Sequence, residues 1–203
     1  MIAAVVPMKR LSAAKQRLAG VLGPEERGRL CLWMLGRMLE AFSACPEVGE
    51  TLVVTPDGAV RDHVKGRFPQ ARVLFDPLDL PLNGAARLAA AEVAGRGYGR
   101  MLFALGDLPF LTAGEVSRMA GLRTPAVLAP DRRGQGTNAL LLTPPGALEP
   151  AFGAGSFQRH LQEAGAAGLA CEVFESPGFG CDIDTPDDLQ YARDAFPGEP
   201  FPF

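Results

Sequence analysis

Ile2 to Val6 and Met101 to Leu105 are two runs of this chain that carry no polar side chain. A strand that is apolar on both sides of its pleat must be covered on both faces, the condition inside a mostly parallel sheet with helices above and below. Thr51 to Thr55, Ala71 to Phe75, Ala126 to Ala129, Ala139 to Leu142 and a stretch near Ala170 to Phe174 read as further strands. Segments of helical period lie between most of them. Leu30, Met34, Met38 and Ala41 mark one face of a long helix from Pro24 to about Ser43, with Glu25 and Glu26 at its positive dipole end. Helices are also predicted through Val60 and Val64, over Asn83 to Ala94, near Thr112 to Ala120, from Ser156 to Ala164 and from Pro186 to Ala195. Strand and helix in alternation predict an α/β fold of Rossmann-like architecture, its mostly parallel sheet carrying helices on both faces.

The chain has 203 residues, enough for one well-buried core, and shows neither an internal repeat nor a linker, so 1–203 reads as one domain. Its tail, Pro197 to Phe203, packs on the body, packs on a partner subunit, or frays. The 20 basic and 23 acidic side chains give a net charge of −3 without a long basic block, which argues against nucleic acid as a partner. Cys31, Cys45, Cys171 and Cys181 lack the spacing of a zinc knuckle and read as reduced, mostly buried side chains. His63 and His160 stand alone in the sequence, each solvated or structurally satisfied. No stretch reaches the roughly 18 apolar residues of a membrane span, and the apolar start is too short for a signal peptide. The expected compartment is the cytoplasm, with no membrane partner.

In open α/β sheets, ligands bind beyond the carboxyl ends of the strands, where the topology changes direction. Asp107 lies two residues past the strand ending at Leu105, on that rim. It reads equally as a ligand carboxylate or as a turn aspartate between Gly106 and Pro109. A second acidic site runs Cys181-Asp182-Ile183-Asp184-Thr185-Pro186-Asp187-Asp188. Thr185, Pro186 and Asp188 are explained by a helix start, with Thr185 as N-cap. Asp182 and Asp184 are not, and in extended backbone they share one face, where a cation relieves their repulsion. Such oxygen ligands suit Mg²⁺. Lys9, Arg10, Lys15 and Arg17 follow the first strand, either as a solvated face or beside a nucleotide's phosphates. No GxxxxGK[ST] and no GxGxxG is present, so the phosphates would be met by lysines as point charges.

Val6-Pro7-Met8-Lys9-Arg10-Leu11 with Ala14-Lys15-Gln16-Arg17-Leu18 resembles the opening signature of the phospholactate guanylyltransferase family of deazaflavin-coenzyme biosynthesis. The likeness continues through Leu82-Asn83, Gly106-Asp107-Leu108-Pro109, Ala129-Pro130-Asp131-Arg132, Gly136-Thr137-Asn138, Phe152-Gly153-Ala154-Gly155-Ser156 and Asp182-Ile183-Asp184-Thr185-Pro186, in the family's order. Two positions depart from the pattern: Pro81 stands where Gly is usual, and Gly106 where Ala is common, the latter a change of little expected consequence.

The resemblance implies a single-domain nucleotidyltransferase fold and transfer of GMP from GTP to a phosphorylated three-carbon acid, with release of pyrophosphate. The acid is left open among phosphoenolpyruvate, 3-phospho-D-glycerate and 2-phospho-L-lactate. It implies a mainly nucleotide-binding part over 1–110, with Pro7, Lys9, Lys15, Leu82 and Asn83 at the nucleotide, and a mainly acceptor-binding part over 111–196. Asp107, Asp182 and Asp184 match the Mg²⁺ carboxylates, and Asp107 and Lys15 the catalytic groups. Thr137, Gly153 and Ser156 match positions that hold the acid. Ser156 is expected as N-cap of its helix, with free backbone N–H groups beside it and Thr137 reaching in from a loop. A molybdopterin or sugar-phosphate acceptor is the nearest rival, but those families open with a Gly-rich loop that this chain lacks. A non-catalytic nucleotide-binding module is the other rival, disfavoured by the three aspartates together with Lys15. Oligomeric state stays open, a homodimer included.

Overall fold

The apolar runs become the centre of one seven-stranded sheet in the computed structural model, which describes residues 1–203. The strands are β1 (Ile2–Pro7), β2 (Val48–Thr55), β3 (Ala71–Phe75), β4 (Met101–Ala104), β5 (Ala126–Pro130), β6 (Thr137–Leu142) and β7 (Cys171–Val173). Their order across the sheet is β3-β2-β1-β4-β6-β5-β7. β1 pairs in parallel with both β2 and β4, and every residue from Ile2 to Val6 is buried. Ala4 and Val6 face one core and Ala3 and Val5 the other, as a period of two requires.

The helices are α1 (Pro24–Ser43), α2 (Gly58–Arg67), α3 (Leu82–Gly95), α4 (Ala113–Gly121), α5 (Ser156–Ala166), the short α6 (Pro177–Gly180) and α7 (Pro186–Ala195). α1 starts at Pro24, where no backbone N–H is needed, and Glu26 reaches back to accept from the Gly23 N–H at 2.7 Å. Leu30, Met34, Met38 and Phe42 bury its inner face with α4 and α7, while α3 and α5 cover the opposite face. Pro81 fits the chain where it stands because it precedes the first turn of α3.

β6 is the exception to parallel order, running antiparallel to β4 and β5. Hydrophobic period identifies a strand but not its direction. The consequence is functional: β4 arrives at the carboxyl rim where β6 begins, with Ala104 opposite Ala139, so Thr137 and Asn138 lie on the rim beside the segment that carries Asp107. The tail packs on the body. Phe196 stacks on Phe110 with centroids 4.0 Å apart, Phe201 lies 5.4 Å from Trp33, and Glu199 pairs with Arg37 at 3.1 Å.

Candidate active site

β1 leads to β2 on one side and is bordered by β4 on the other, so connections leave this point in opposite directions. A cleft of about 280 Å³ opens there. Pro7, Met8 and Lys9 line it from the end of β1, Leu105, Gly106 and Asp107 from the end of β4, and Leu82 from the start of α3. A Cβ on Gly106 would press into Met8 Sδ and stand 3.0 Å from the Pro7 carbonyl oxygen. The glycine is therefore matched to Met8, a consequence that the bare sequence does not disclose.

The basic loop reaches the cleft through two short 3-10 turns, Leu11–Ala13 and Gln16–Leu18. Asp57 anchors it: one carboxylate oxygen accepts from Leu11 N–H at 2.8 Å while the other caps α2 through Ala59 N–H at 2.8 Å. Leu18 is fully buried at its far end. Between the turns Lys15 adopts φ 51° and ψ 39°, the left-handed region, and points its side chain inward. Its Nζ donates to Asp107 Oδ2 at 2.7 Å and to Asp184 Oδ1 at 2.6 Å.

Asp184 and Asp182 flank Ile183, whose side chain is fully buried and whose N–H donates to the Asp107 carbonyl at 3.3 Å. That bond lays the two acidic segments side by side. Asp182 accepts from Asn138 Nδ2 at 3.1 Å, and the same amide donates to the Phe179 carbonyl at 2.9 Å. Burial, and then the charges of Asp107 and Asp184, push the Asp182 carboxyl up to about 6. For Lys15 burial works downward, but the Asp107 and Asp184 carboxylates overcome it and hold the ammonium above its ordinary range.

Lys15 pairs with two of the three carboxylates gathered here, and Asp182 meets only an amide, which leaves negative charge in excess. Asp107 Oδ1 is buried without a hydrogen-bond partner. No three His, Cys, Asp or Glu side chains stand ready-made around a common metal position. Lys15 takes the space between Asp107 and Asp184 instead. The all-oxygen donor set, the uncompensated charge and the orphaned oxygen are the chemistry of a site that fits Mg²⁺.

The other residues singled out in the sequence fall into two groups. Pro7, Lys9 and Leu82 share the cleft with Lys15, Lys9 being exposed at its edge. Asn83 does not line it. Its amide pairs both ways with the Phe152 backbone, accepting from the N–H at 2.8 Å and donating to the carbonyl at 3.4 Å, and so fixes the loop that precedes α5. Gly153 in that loop has φ 122°, which requires glycine, and Arg159 clamps it by donating to the Ala151 and Ala154 carbonyls.

Thr137 and Ser156 do meet, with a geometry different from expectation. Thr137 opens β6 rather than lying in a loop, and Gly155, not Ser156, occupies the N-cap of α5 in left-handed conformation. The Ser156 hydroxyl turns across to accept from Thr137 N–H at 2.9 Å. The first backbone N–H groups of α5 are engaged too, Ser156 with Gly153 and Phe157 with Gln135. Both side chains are buried, so neither is an open anion cradle.

His160, read in the sequence as solvated or structurally satisfied, is completely buried beside them with both ring nitrogens partnered. Its Nε2 accepts from Ala151 N–H at 2.9 Å, which places the ring proton on Nδ1, 2.9 Å from Thr137 Oγ1. Burial, and then the Arg159 charge, lower it to about 4. Asn138 was missed as a site residue, although it stands as a polar side chain directly before the apolar run Ala139 to Leu142. Asp76, also missed, lies at the end of β3, lines the cleft and holds the following loop through Leu78 N–H at 3.1 Å and Leu80 N–H at 2.7 Å.

β1 ends without a glycine cradle; side-chain cations, Lys9 and Lys15, line the cleft on one side, and the Asp107 and Asp184 carboxylates line it on the other. That division of labour, on this sheet, defines a nucleotidyltransferase. The chain belongs to the CofC-like guanylyltransferases: the family profile described as "Guanylyl transferase CofC like" matches residues 2–192. It is 44% identical over 189 residues to a phosphoenolpyruvate guanylyltransferase of Sphaerobacter thermophilus, covering 92% of this chain and 90% of the relative. A phosphoenolpyruvate guanylyltransferase of Conexibacter woesei is 37% identical over 195 residues, covering 94% and 86%. Among solved structures, a putative nucleotide-diphospho-sugar transferase from Desulfovibrio desulfuricans shares the fold, with a TM-score of 0.81, 18% identity and coverage of 99% and 90%. No helix is long and apolar enough to cross a membrane.

Proposed function

We propose that the protein transfers GMP from GTP to the phosphate of phosphoenolpyruvate and releases pyrophosphate. The observation that carries this reading is the Lys15 ammonium held between Asp107 and Asp184 at the mouth of the cleft. Family membership supports the guanylyl group, and the names of the relatives support the acceptor.

The base lies in the cleft near Pro7 and Leu82, and the triphosphate runs towards Lys9 and Lys15. The acceptor's phosphate is already anionic, so its oxygen attacks the α-phosphorus without a general base. The new bond joins that oxygen to α-phosphorus, and the bond from α-phosphorus to the bridging oxygen of pyrophosphate breaks. Lys15 neutralises the pyrophosphate as it leaves, a stabilisation that grows as the bond breaks. Asp107, Asp184 and Asp182 would hold Mg²⁺, which would supply neutralisation of phosphate charge. Asn138 orients Asp182 from the start of β6. Thr137 at the start of β6 and Ser156 at the start of α5, with Gly153 in the loop before α5, shape the acceptor side and fix its distance from the α-phosphorus.

Incubation with GTP and each of the three acids, followed by mass analysis of the product, tests the acceptor. Phosphoenolpyruvate is expected to give the guanosine diphospho-adduct fastest. A kcat/KM about tenfold higher with 3-phospho-D-glycerate or 2-phospho-L-lactate would overturn that choice.

A further inference from the structure

Lys15 and Asp79 are the two non-glycine residues with positive φ. Asp79 makes an exposed pair with Arg10 at the edge of the cleft, whereas Lys15 turns inward and spends its hydrogen bonds on two carboxylates. The Asp107 side chain accepts from Lys15 and from nothing else, since its second oxygen has no partner. The left-handed backbone is an unfavourable conformation for lysine. Here it holds the ammonium at a place where two anionic oxygens would otherwise face each other uncompensated.

We propose that Lys15 is a resident counter-ion, its ammonium occupying in the nucleotide-free enzyme the place between Asp107 and Asp184 that a divalent cation takes during turnover. The inference rests on the assignment of those aspartates as metal ligands. With Nζ within 2.7 Å of both oxygens, a second cation on the same oxygens meets a like charge at close range. The free enzyme therefore holds divalent metal weakly. A nucleotide's phosphates offer Lys15 new acceptors and draw it off the carboxylates, and the metal arrives with the nucleotide. Ser12, Ala13, Gln16 and Arg17 of the two short turns are exposed while Leu11, Ala14 and Leu18 pack on the core, so the loop stays anchored and the swing is one of the Lys15 side chain.

Mn²⁺ titration without nucleotide, read by electron paramagnetic resonance of the free ion, tests this. Lys15→Met and Lys15→Gln are expected to bind Mn²⁺ about tenfold or more tighter than wild type, and Asp107→Asn in either background to abolish the gain. Equal affinity in wild type and both variants, lost on Asp107→Asn, leaves the metal assignment standing and overturns the counter-ion role. A gain that survives Asp107→Asn places the metal elsewhere and overturns the assignment itself. Should both variants fail to fold, side-chain nitrogen NMR of the wild type decides: the Lys15 resonance is expected to move with Mg²⁺ and GTP together and stay fixed with Mg²⁺ alone. Displacement by Mg²⁺ alone at the same concentration overturns the proposal.

Discussion

Lys15 and Asp184, 169 residues apart in sequence, are joined by a 2.6 Å ion pair that closes the cleft between the first strand and the last helix. Removing either carboxylate that faces Lys15 leaves the ammonium with one partner fewer and the proposed Mg²⁺ with one ligand fewer. Asp107→Asn and Asp184→Asn are expected to lower kcat by about a hundredfold or more, the scale of losing one electrostatic stabiliser, while thermal unfolding stays cooperative. Steady-state kinetics beside a melting curve checks it. Activity within about threefold of wild type in either variant would remove that aspartate from the site.

Thr137 and Ser156 offer a test of the acceptor side. Ser156→Ala removes the acceptor for Thr137 N–H, a buried group, and is expected to cost about 1 kcal/mol of stability or somewhat more. Thr137→Val strands the His160 Nδ1 proton in the same way. Both variants are expected to weaken binding of the phosphorylated acid and leave GTP affinity nearly unchanged. A calorimetric titration with unaltered acid affinity in both would make the pair purely structural.

His160 gives the fold a pH dependence of definite sign. Its folded value of about 4 lies below the ordinary 6.5, so the unfolded chain binds more protons between these limits. The contribution is fully present above about pH 6.5 and is lost as pH falls towards 4, by roughly 3 kcal/mol in all. Asp182, raised to about 6, works in the opposite sense over part of that window, so the comparison must be made against a variant. Wild type is expected to lose stability relative to His160→Gln as denaturation is repeated from pH 7 down to pH 4.5. Parallel curves would show that His160 keeps its ordinary affinity for protons.

Much of the fold was legible because strands buried on both faces leave no room for polar residues, and Ile2 to Val6 and Met101 to Ala104 obey that rule strictly. Asp107 was legible for the same reason, as the first charge after an apolar strand. Thr185, Pro186 and Asp188 form the expected helix start, with Thr185 Oγ1 accepting from Asp188 N–H at 3.2 Å. The partnership of Lys15 with Asp107 and Asp184 was not legible, since it spans the whole chain and depends on a left-handed lysine that no glycine or asparagine announces. Ser156 was misread because a serine before a helix usually caps it, whereas Gly155 takes that position here and frees the hydroxyl for β6. The short α6, with two glycines in four residues, shows no helical period and was not predicted.

The central claim is that this cleft joins a nucleotide to a phosphorylated acid, and pyrophosphate release tests it most directly. With Mg²⁺ present, wild type is expected to release pyrophosphate from GTP when phosphoenolpyruvate is added, in a one-to-one ratio with a guanosine diphospho-product, and to release almost none from GTP alone. Release from GTP without an acid, or none with any of the three acids, would contradict it.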